Sequence, residues 1–249
     1  STYHILCYIR FKAEIFNLRG NEELFLEQIE KIKRINADEG LVEFDVYCVA
    51  ALASIDINRG SYEQAENNLK SGLELATKFN LTQQLGNIYN MLGNVKYYTG
   101  LHNEATGYYE KSYENFKAAK DVVRSVKPIN NLGNIYVTHL NDAKKATAYY
   151  KRGLEISRIH GLKNMQLVFS LNIGEISKSN FEYEMALESL LEANKIAVEL
   201  QDPKEIAICQ SVIGSIYLET EKYDKAYECY VYVSSVMTDD ESRSLELSI

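Results

Sequence analysis

The sequence has no tryptophan, only 2 prolines and no long apolar run. These absences limit the classes of protein to which the chain can belong. Its longest apolar stretches, such as Val46–Ser54, are far shorter than the roughly 18 apolar residues that a membrane span needs. No basic and then apolar leader precedes a small-residue cleavage site. With 46% hydrophobic and 25% charged residues, the composition is that of a chain that folds around a core. We therefore expect a globular protein without a membrane segment.

Positive charge is also scarce. Lysine and arginine number 27 against 35 aspartates and glutamates, which gives a formal net charge of −8. A field of this sign repels phosphate backbones and anionic lipids. The composition therefore argues against nucleic acid and membrane surfaces as partners. It also argues against reading the 19 tyrosines as a platform on which bases stack.

The cysteines form no framework. Cys7, Cys48, Cys209 and Cys229 occur singly in apolar segments, without a Cys-x-x-Cys pair or a histidine at metal-ligand spacing. We expect packed thiols in a reducing, cytoplasmic compartment, although the even number leaves disulfide pairing open.

Motifs for catalysis are missing as well. The sequence contains no zinc-protease motif, phosphate-binding loop or nucleophile elbow. His4, His102, His139 and His160 are scattered over unrelated segments. The acidic cluster Asp239–Glu241 lacks the alternating ligands of a calcium loop and is expected to be a solvated turn. We predict no enzyme activity, no metal and no cofactor.

The dominant feature of the sequence is an internal repeat. Gly20, Gly60 and Gly100 recur every 40 residues, and each is followed by a short polar stretch and a new apolar periodic segment. Glycine at this point is typical of a helix end, because it can adopt the left-handed conformation that closes the last turn. Ser61–Gln64 has the pattern of a capping box at the start of the next helix.

Small residues mark a second repeated position. They follow one another at separations of 40, 40, 40, 41 and 40 residues: Ala13, Ala53, Gly93, Gly133, Gly174 and Gly214. A further set of alanines comes twelve positions later, or thirteen after an insertion at 140–142, and Phe25 breaks the pattern in the first unit: Ala65, Ala105, Ala146, Ala186 and Ala226. A large residue follows each alanine by four positions: Leu69, Tyr109, Tyr150, Leu190 and Tyr230. This pattern predicts two helices that cross closely, with a large side chain packed on a small one.

The period and the turn signals together predict twelve helices without strands. Their expected ranges are 3–19, 22–36, 41–59, 62–79, 82–99, 102–119, 122–139, 142–160, 163–179, 182–200, 203–219 and 223–237. Asp202 and Pro203 mark one helix start clearly, as N-cap and first helical residue. Pro128 leaves two alternatives: its helix begins near the proline, or it begins at Val122 and is kinked there.

Three segments carry a resemblance to a known family. Tyr89–Tyr97 (YNMLGNVKY), Ile129–Tyr136 (INNLGNIY) and Val212–Tyr217 (VIGSIY) are each followed by the alanine of the second helix, and they resemble tetratricopeptide repeats. The period is longer than the 34 residues usual in that family, and the proline that ends many such repeats is missing. Both departures resemble the long repeats of bacterial signalling proteins, including peptide-pheromone receptors, although eukaryotic scaffolds contain similar ones.

The resemblance implies an all-α, right-handed superhelical solenoid of six antiparallel helix pairs. We expect a single domain over 1–249, with repeats at 3–40, 41–80, 81–120, 121–161, 162–201 and 202–240. The apolar first helix and the helix-like residues 241–249 suggest a piece of a longer protein with further helices.

Asparagine is unexpectedly frequent inside the first helices of the middle repeats. Asparagine is a mediocre helix former, so its presence there costs stability unless something compensates. One stripe contains Asn87, Asn90 and Asn94 at spacings of three and four, and it continues at Asn130 and Asn134. Asn131 and Asn172 form a second row.

In peptide-binding tetratricopeptide proteins the equivalent positions look onto the concave groove, and the resemblance implies the same here. An asparagine amide offers a donor and an acceptor to a peptide backbone. Tyr97 and Tyr98, one turn further on, either face this groove or pack in the core. Lys127 lies on the same side as Asn130, and with Lys96, Arg124 and Lys178 it would suit a ligand carboxylate. The alternative is that the amides bond to neighbouring helices and hold the repeats in register.

We therefore expect a protein- or peptide-binding module, the sensory or regulatory region of a bacterial signalling protein. Two alternatives remain open. One is a scaffold that assembles subunits through its convex face or its ends, and the other is a substrate-guiding region of an enzyme whose catalytic domain lies elsewhere. The sequence does not indicate the oligomeric state.

Overall fold

A computed structural model describes residues 1–236, which form twelve α-helices and no strand. The helices are α1 (Thr2–Leu18), α2 (Glu22–Glu39), α3 (Val42–Asn58), α4 (Tyr62–Lys78), α5 (Thr82–Tyr98), α6 (His102–Ala118), α7 (Val122–Thr138), α8 (Ala143–Ile159), α9 (Lys163–Ser179), α10 (Tyr183–Leu200), α11 (Pro203–Glu219) and α12 (Tyr223–Val236). The all-α fold of six helix pairs is confirmed, and most helix ends lie within a residue of their predicted positions. The expected helix at 241–249 and the cluster Asp239–Glu241 lie outside the described residues.

The turns between helices share one backbone arrangement. Gly20, Gly60 and Gly100 have φ of 69°, 76° and 79°, as predicted for left-handed helix ends. The next residue donates its amide back into the helix that has just ended, as Ser61 N does to Asp56 O at 2.8 Å. Each turn thereby satisfies carbonyls that the helix end leaves without a partner.

This arrangement overturns the predicted capping box at Ser61. The Ser61 side chain makes no capping hydrogen bond. A capping box needs the Ser61 N–H to donate to the Gln64 side chain, but that N–H already donates to Asp56 O. The Gln64 amide instead lies 3.5 Å from Asn68 Oδ1.

The packing of large on small residues is confirmed. A Cβ added to Gly133 would lie 2.2 Å from Tyr150 Cε1, and one added to Gly93 would lie 2.5 Å from the Tyr109 ring. At Gly174 the same contact is made by Leu190, at 2.5 Å. The alanines of the second helices, from Ala65 to Ala226, are buried. At Gly93, Gly133 and Gly174 the first and second helices of the repeat therefore approach too closely for any larger side chain.

The two prolines have different places. Asp202 caps α11 as predicted, because its carboxylate accepts the amides of Lys204 and Glu205 at 3.1 and 3.2 Å. Pro128 lies inside α7, which begins at Val122, so the helix does not start at the proline. Without an N–H, Pro128 cannot donate to the Arg124 carbonyl one turn earlier.

The chain divides at this proline into two compact units, Ser1–Pro128 and Ile129 onwards. The core of the first unit contains Phe44, Leu69 and Ile88, which are fully buried. In the second unit Leu190, Ile213 and Ile216 pack together. The single domain over 1–249 stays a prediction.

The four cysteines are free thiols, and Cys48, Cys209 and Cys229 are buried. Burial raises the pKa of the Cys48 and Cys209 thiols to about 12. These side chains therefore act as small apolar residues in the core. None of the helices in residues 1–236 is long and apolar enough to cross a bilayer.

Candidate functional site

A cavity of about 530 Å³ lies in the first unit, on the face formed by the first helix of each repeat. Residues of α1, α3, α5 and the beginning of α7 line it. Part of its surface is apolar, including Val46, Ala50 and Ala51 of α3 and Met91 of α5. The two alanines leave room that larger side chains would fill.

Carboxamides dominate the polar lining of this cavity. The predicted Asn87, Asn90 and Asn94 all line it, since spacings of three and four residues place them on one face of α5. Four more amides join them, which the sequence analysis missed: Asn17, Asn58, Gln83 and Gln84. The two glutamines follow the same spacing one turn before Asn87 and could have been found by extending the stripe. Asn17 and Asn58 lie near helix ends, where asparagine is common and therefore does not indicate a binding site.

The charged residues of the cavity differ in how they are paired. Arg10 lies 3.9 Å from Glu14, and Arg124 lies 3.2 Å from Asp121 at the cap of its own helix. Gln83 is also engaged, because its amide donates to Asp121 at 2.6 Å. Lys127, a predicted site residue, is exposed and forms no ion pair within the described part of the chain. It is the cation best placed to meet a negative group in the cavity.

Asn94 has a second role at the edge of the cavity. The buried Tyr109 donates its hydroxyl to Asn94 Oδ1 at 2.8 Å. Burial raises the pKa of Tyr109, which keeps the phenol protonated as a donor. Tyr97 does not line the cavity. It lies edge-on to the rings of Tyr98 and His102, near the turn into α6, and its role as a site residue stays a prediction.

The remaining predicted residues belong to the second unit. The Asn172 amide donates to Asn130 Oδ1 at 3.1 Å, which links α9 to α7. Asn134 Oδ1 accepts the hydroxyl of Tyr150 at 2.6 Å, the same arrangement as Asn94 and Tyr109. Asn131 is half-buried on α7. Part of the asparagine pattern therefore holds helices together, and the binding role of these four residues stays a prediction.

Two lysines considered for a ligand carboxylate have protein partners instead. Lys96 is buried and bonds to both carboxylate oxygens of Glu66 at 3.0 and 3.1 Å, with Glu104 at 3.5 Å. Lys178 lies 3.2 Å from Glu219. Sequence spacing could not reveal these pairs, because the acidic partners come from other helices.

Within residues 1–236, no group of histidine, cysteine, aspartate and glutamate side chains is arranged to hold a metal ion. The described site is a surface of amides, a few charges and apolar patches. Such a surface is suited to the reversible binding of an extended polar ligand.

Comparison with known proteins agrees with this architecture. Family models described as tetratricopeptide repeat match residues 45–118 and 126–160. A search of curated proteins finds no match.

Several solved structures share the fold at low sequence identity. BtubC from P. vanneervenii is 20% identical with a TM-score of 0.74, over 84% of this chain and 86% of that one. A signal transduction ATPase with a tetratricopeptide repeat sensor from Pyrococcus horikoshii is 19% identical with a TM-score of 0.76, over 91% of this chain but only 37% of that one. The quorum sensor NprR from B. thuringiensis is 11% identical with a TM-score of 0.72, over 99% and 68%. The chain thus carries tetratricopeptide repeats over residues 45–118 and 126–160, and it shares its fold with these solved structures.

Proposed function

We propose that the chain is a non-catalytic binding module whose first unit holds an extended segment of a peptide or partner protein in the cavity between α1, α3, α5 and α7. The observation that carries this proposal is the set of seven carboxamides on one cavity surface. A carboxamide can donate to a backbone carbonyl and accept from a backbone N–H without demanding a particular side chain, although Gln83 and Asn94 already use part of this capacity within the protein. A peptide backbone offers both groups at every residue.

The charges of the cavity suggest the orientation of such a ligand. Lys127 lies at the α7 side with no ion pair within residues 1–236, and Glu14 and Glu43 lie at the α1 and α3 side. A carboxylate of the ligand would be favoured near Lys127, and a cationic group would be favoured near Glu43, since Glu14 already lies 3.9 Å from Arg10.

Similarity in fold to proteins named as sensors supports a sensory or regulatory role within a larger bacterial signalling protein. The acidic composition supports a peptide or protein partner over nucleic acid. A cytoplasmic location is part of this proposal.

The test is to select ligands from a phage-displayed library of random peptides and to measure the selected peptides by calorimetry. Asn87→Ala with Lys127→Ala should weaken binding by about tenfold or more, because one amide pair and one charge pair are lost. Both changes spare Asn94, whose loss would also leave the Tyr109 hydroxyl without an acceptor.

The matched control is Asn67→Ala with Lys117→Ala, which removes the same two residue types from exposed positions of the same unit outside the cavity. Equal affinity of the cavity variant and the control variant would contradict the proposal. So would a library that yields no peptide dependent on the first unit.

A further inference from the structure

A second concave surface, separate from the amide-lined cavity, lies in the second unit. It is a groove of about 620 Å³ between α8 and α10, with α9 as its floor. Ile173 and Ile176 form the apolar floor, while Ala148 and Met185 form parts of the two sides. Met185 is 47% exposed, whereas Ile173 and Ile176 are 5% and 7% exposed, so Met185 supplies most of the accessible apolar surface and the isoleucines form the base beneath it.

At the start of α8 the groove is bordered by a small residue, Ala143, whereas α4, α10 and α12 begin with tyrosine. Tyr62 opens α4 and stacks on Tyr98 of the following helix, with ring centroids 5.6 Å apart. Tyr183 opens α10 and donates its hydroxyl to Glu219 of the following helix at 2.9 Å. At the same position α8 has Ala143, which lines the groove together with Asn180 of the following helix. The space that a tyrosine would cover therefore stays open.

The rim of the groove on α8 is basic. Lys144 and Lys151 both line it, and neither forms an ion pair with a carboxylate in residues 1–236. The intervening Lys145 is engaged elsewhere, at 3.5 Å from Asp142 and over the ring of Tyr136. The only acidic side chain lining the groove is Glu182, at the start of α10. A basic rim is unusual for a chain with a net charge of −8.

The spacing of the two lysines defines the shape of a complementary ligand. They are seven residues apart, two turns of one helix, which is about 10.5 Å along the helix axis. A helix laid beside α8 with carboxylates seven residues apart would match them. A residue three or four positions after the first carboxylate would lie on the same face and point towards the groove floor.

We infer that this groove binds an acidic amphipathic helix of a partner protein, with one apolar side chain over Ile173 and Ile176 and flanking carboxylates at Lys144 and Lys151. The inference does not depend on the proposed function of the first unit, because no residue is shared between the two surfaces.

The probe for this inference is a fluorescein-labelled, alanine-rich helical peptide with two glutamates seven residues apart and a leucine between them. Its binding is measured by fluorescence anisotropy and located by amide chemical shifts of the whole chain. Lys144→Glu with Lys151→Glu should weaken binding by about tenfold or more, because attraction is replaced by repulsion at both ends. Ala148→Phe keeps both lysines but fills the groove, and it should weaken binding by a similar factor.

The matched control is Lys195→Glu with Lys222→Glu, which makes the same change of charge at exposed positions of the same unit. The control should retain the affinity of the unchanged chain, and a peptide with serine in place of leucine should bind at least about tenfold more weakly. Equal loss in the two charge-reversed variants would show a general charge effect and overturn the inference. Absence of shifts around Ile173 and Ile176 at saturating peptide would also overturn it.

Sedimentation of the chain without peptide tests whether the groove instead binds a second copy of the chain. Self-association that Ala148→Phe abolishes would assign the groove to a homodimer and contradict the inference. Sedimentation unaffected by Ala148→Phe leaves the partner helix as the occupant.

Discussion

Glycines inside helices of this protein have opposite roles, and their surroundings decide which. Gly133 faces the Tyr150 ring so closely that a Cβ would lie 2.2 Å from it. Gly107, in the middle of α6, has no atom within 4 Å of an added Cβ. The first glycine therefore allows close packing, whereas the second only costs backbone entropy.

Gly133→Ala is expected to lower the free energy of unfolding by about 1–3 kcal/mol, because the tyrosine ring must move. Gly107→Ala is expected to raise it by about 0.5–1 kcal/mol. Urea denaturation of the two variants measures both effects. A loss at both positions, or at neither, would contradict the assignment of the two roles.

The repeat pattern predicted the contact at Gly133 but not the use of the asparagines beside it. Asn134 and Asn94 are spaced like ligand-binding residues, yet both accept a tyrosine hydroxyl from the second helix of their own repeat. Asn87 and Asn90 belong to the same stripe and line the cavity. Helical spacing identifies which side chains share a face, but it does not show which neighbour reaches them.

At the scale of helices, a buried ion cluster joins three elements of the first unit. Lys96 of α5 bonds to Glu66 of α4 and lies near Glu104 of α6, while the more exposed Lys70 also reaches Glu66. The hydrogen bonds from Lys70 and Lys96 hold the pKa of Glu66 below its ordinary value, against the effect of burial. The pairing therefore stabilises the folded state.

Lys96→Met is expected to destabilise the protein by about 1–3 kcal/mol at neutral pH, because it leaves the partly buried Glu66 with only the more exposed Lys70 as its cation. The contribution of Glu66 is present above the ordinary glutamate pKa and is lost as the pH falls through its lowered value. The difference between variant and unchanged chain should therefore shrink in acid.

The control for this prediction is Lys70→Met, which removes the exposed cation of the same cluster and should cost about 1 kcal/mol or less. Urea titrations at several pH values measure both variants. A deficit of Lys96→Met that is independent of pH would indicate lost packing rather than lost charge pairing.

At the scale of the whole molecule, the helices within each unit pack mainly against the helices that precede and follow them in sequence. Arrays of this kind distribute their stability locally, because each repeat depends on its own packing and on its neighbours. The chain also separates into two compact units at Pro128.

A substitution in one repeat should therefore weaken nearby helices most. Gly174→Val, where a Cβ already lies 2.5 Å from Leu190 Cγ, is expected to lower hydrogen-exchange protection in α8–α11 more than in α1–α4. Exchange measured by mass spectrometry resolves these segments. Equal loss throughout residues 1–236 would show that the chain unfolds as a single cooperative unit.

The twelve helices of residues 1–236, most of their bounds and the contact of large on small residues could all be predicted from the sequence. These features depend on local spacing, on turn residues such as Gly60 and on a repeat period that places the same residue type at the same point in each unit. The predicted capping box failed because the backbone of the turn had already used the Ser61 amide.

The contacts of each polar side chain, by contrast, depend on how the helices pack in three dimensions. Lys96 is paired with glutamates from two other helices. Asn94 accepts a hydrogen bond from Tyr109, while Lys127 lines the cavity. The groove of the second unit likewise includes Ala143, whose side chain is too small to cover the neighbouring helix. These outcomes depend on side chains that are distant in sequence, and a one-dimensional pattern does not specify which of them meet.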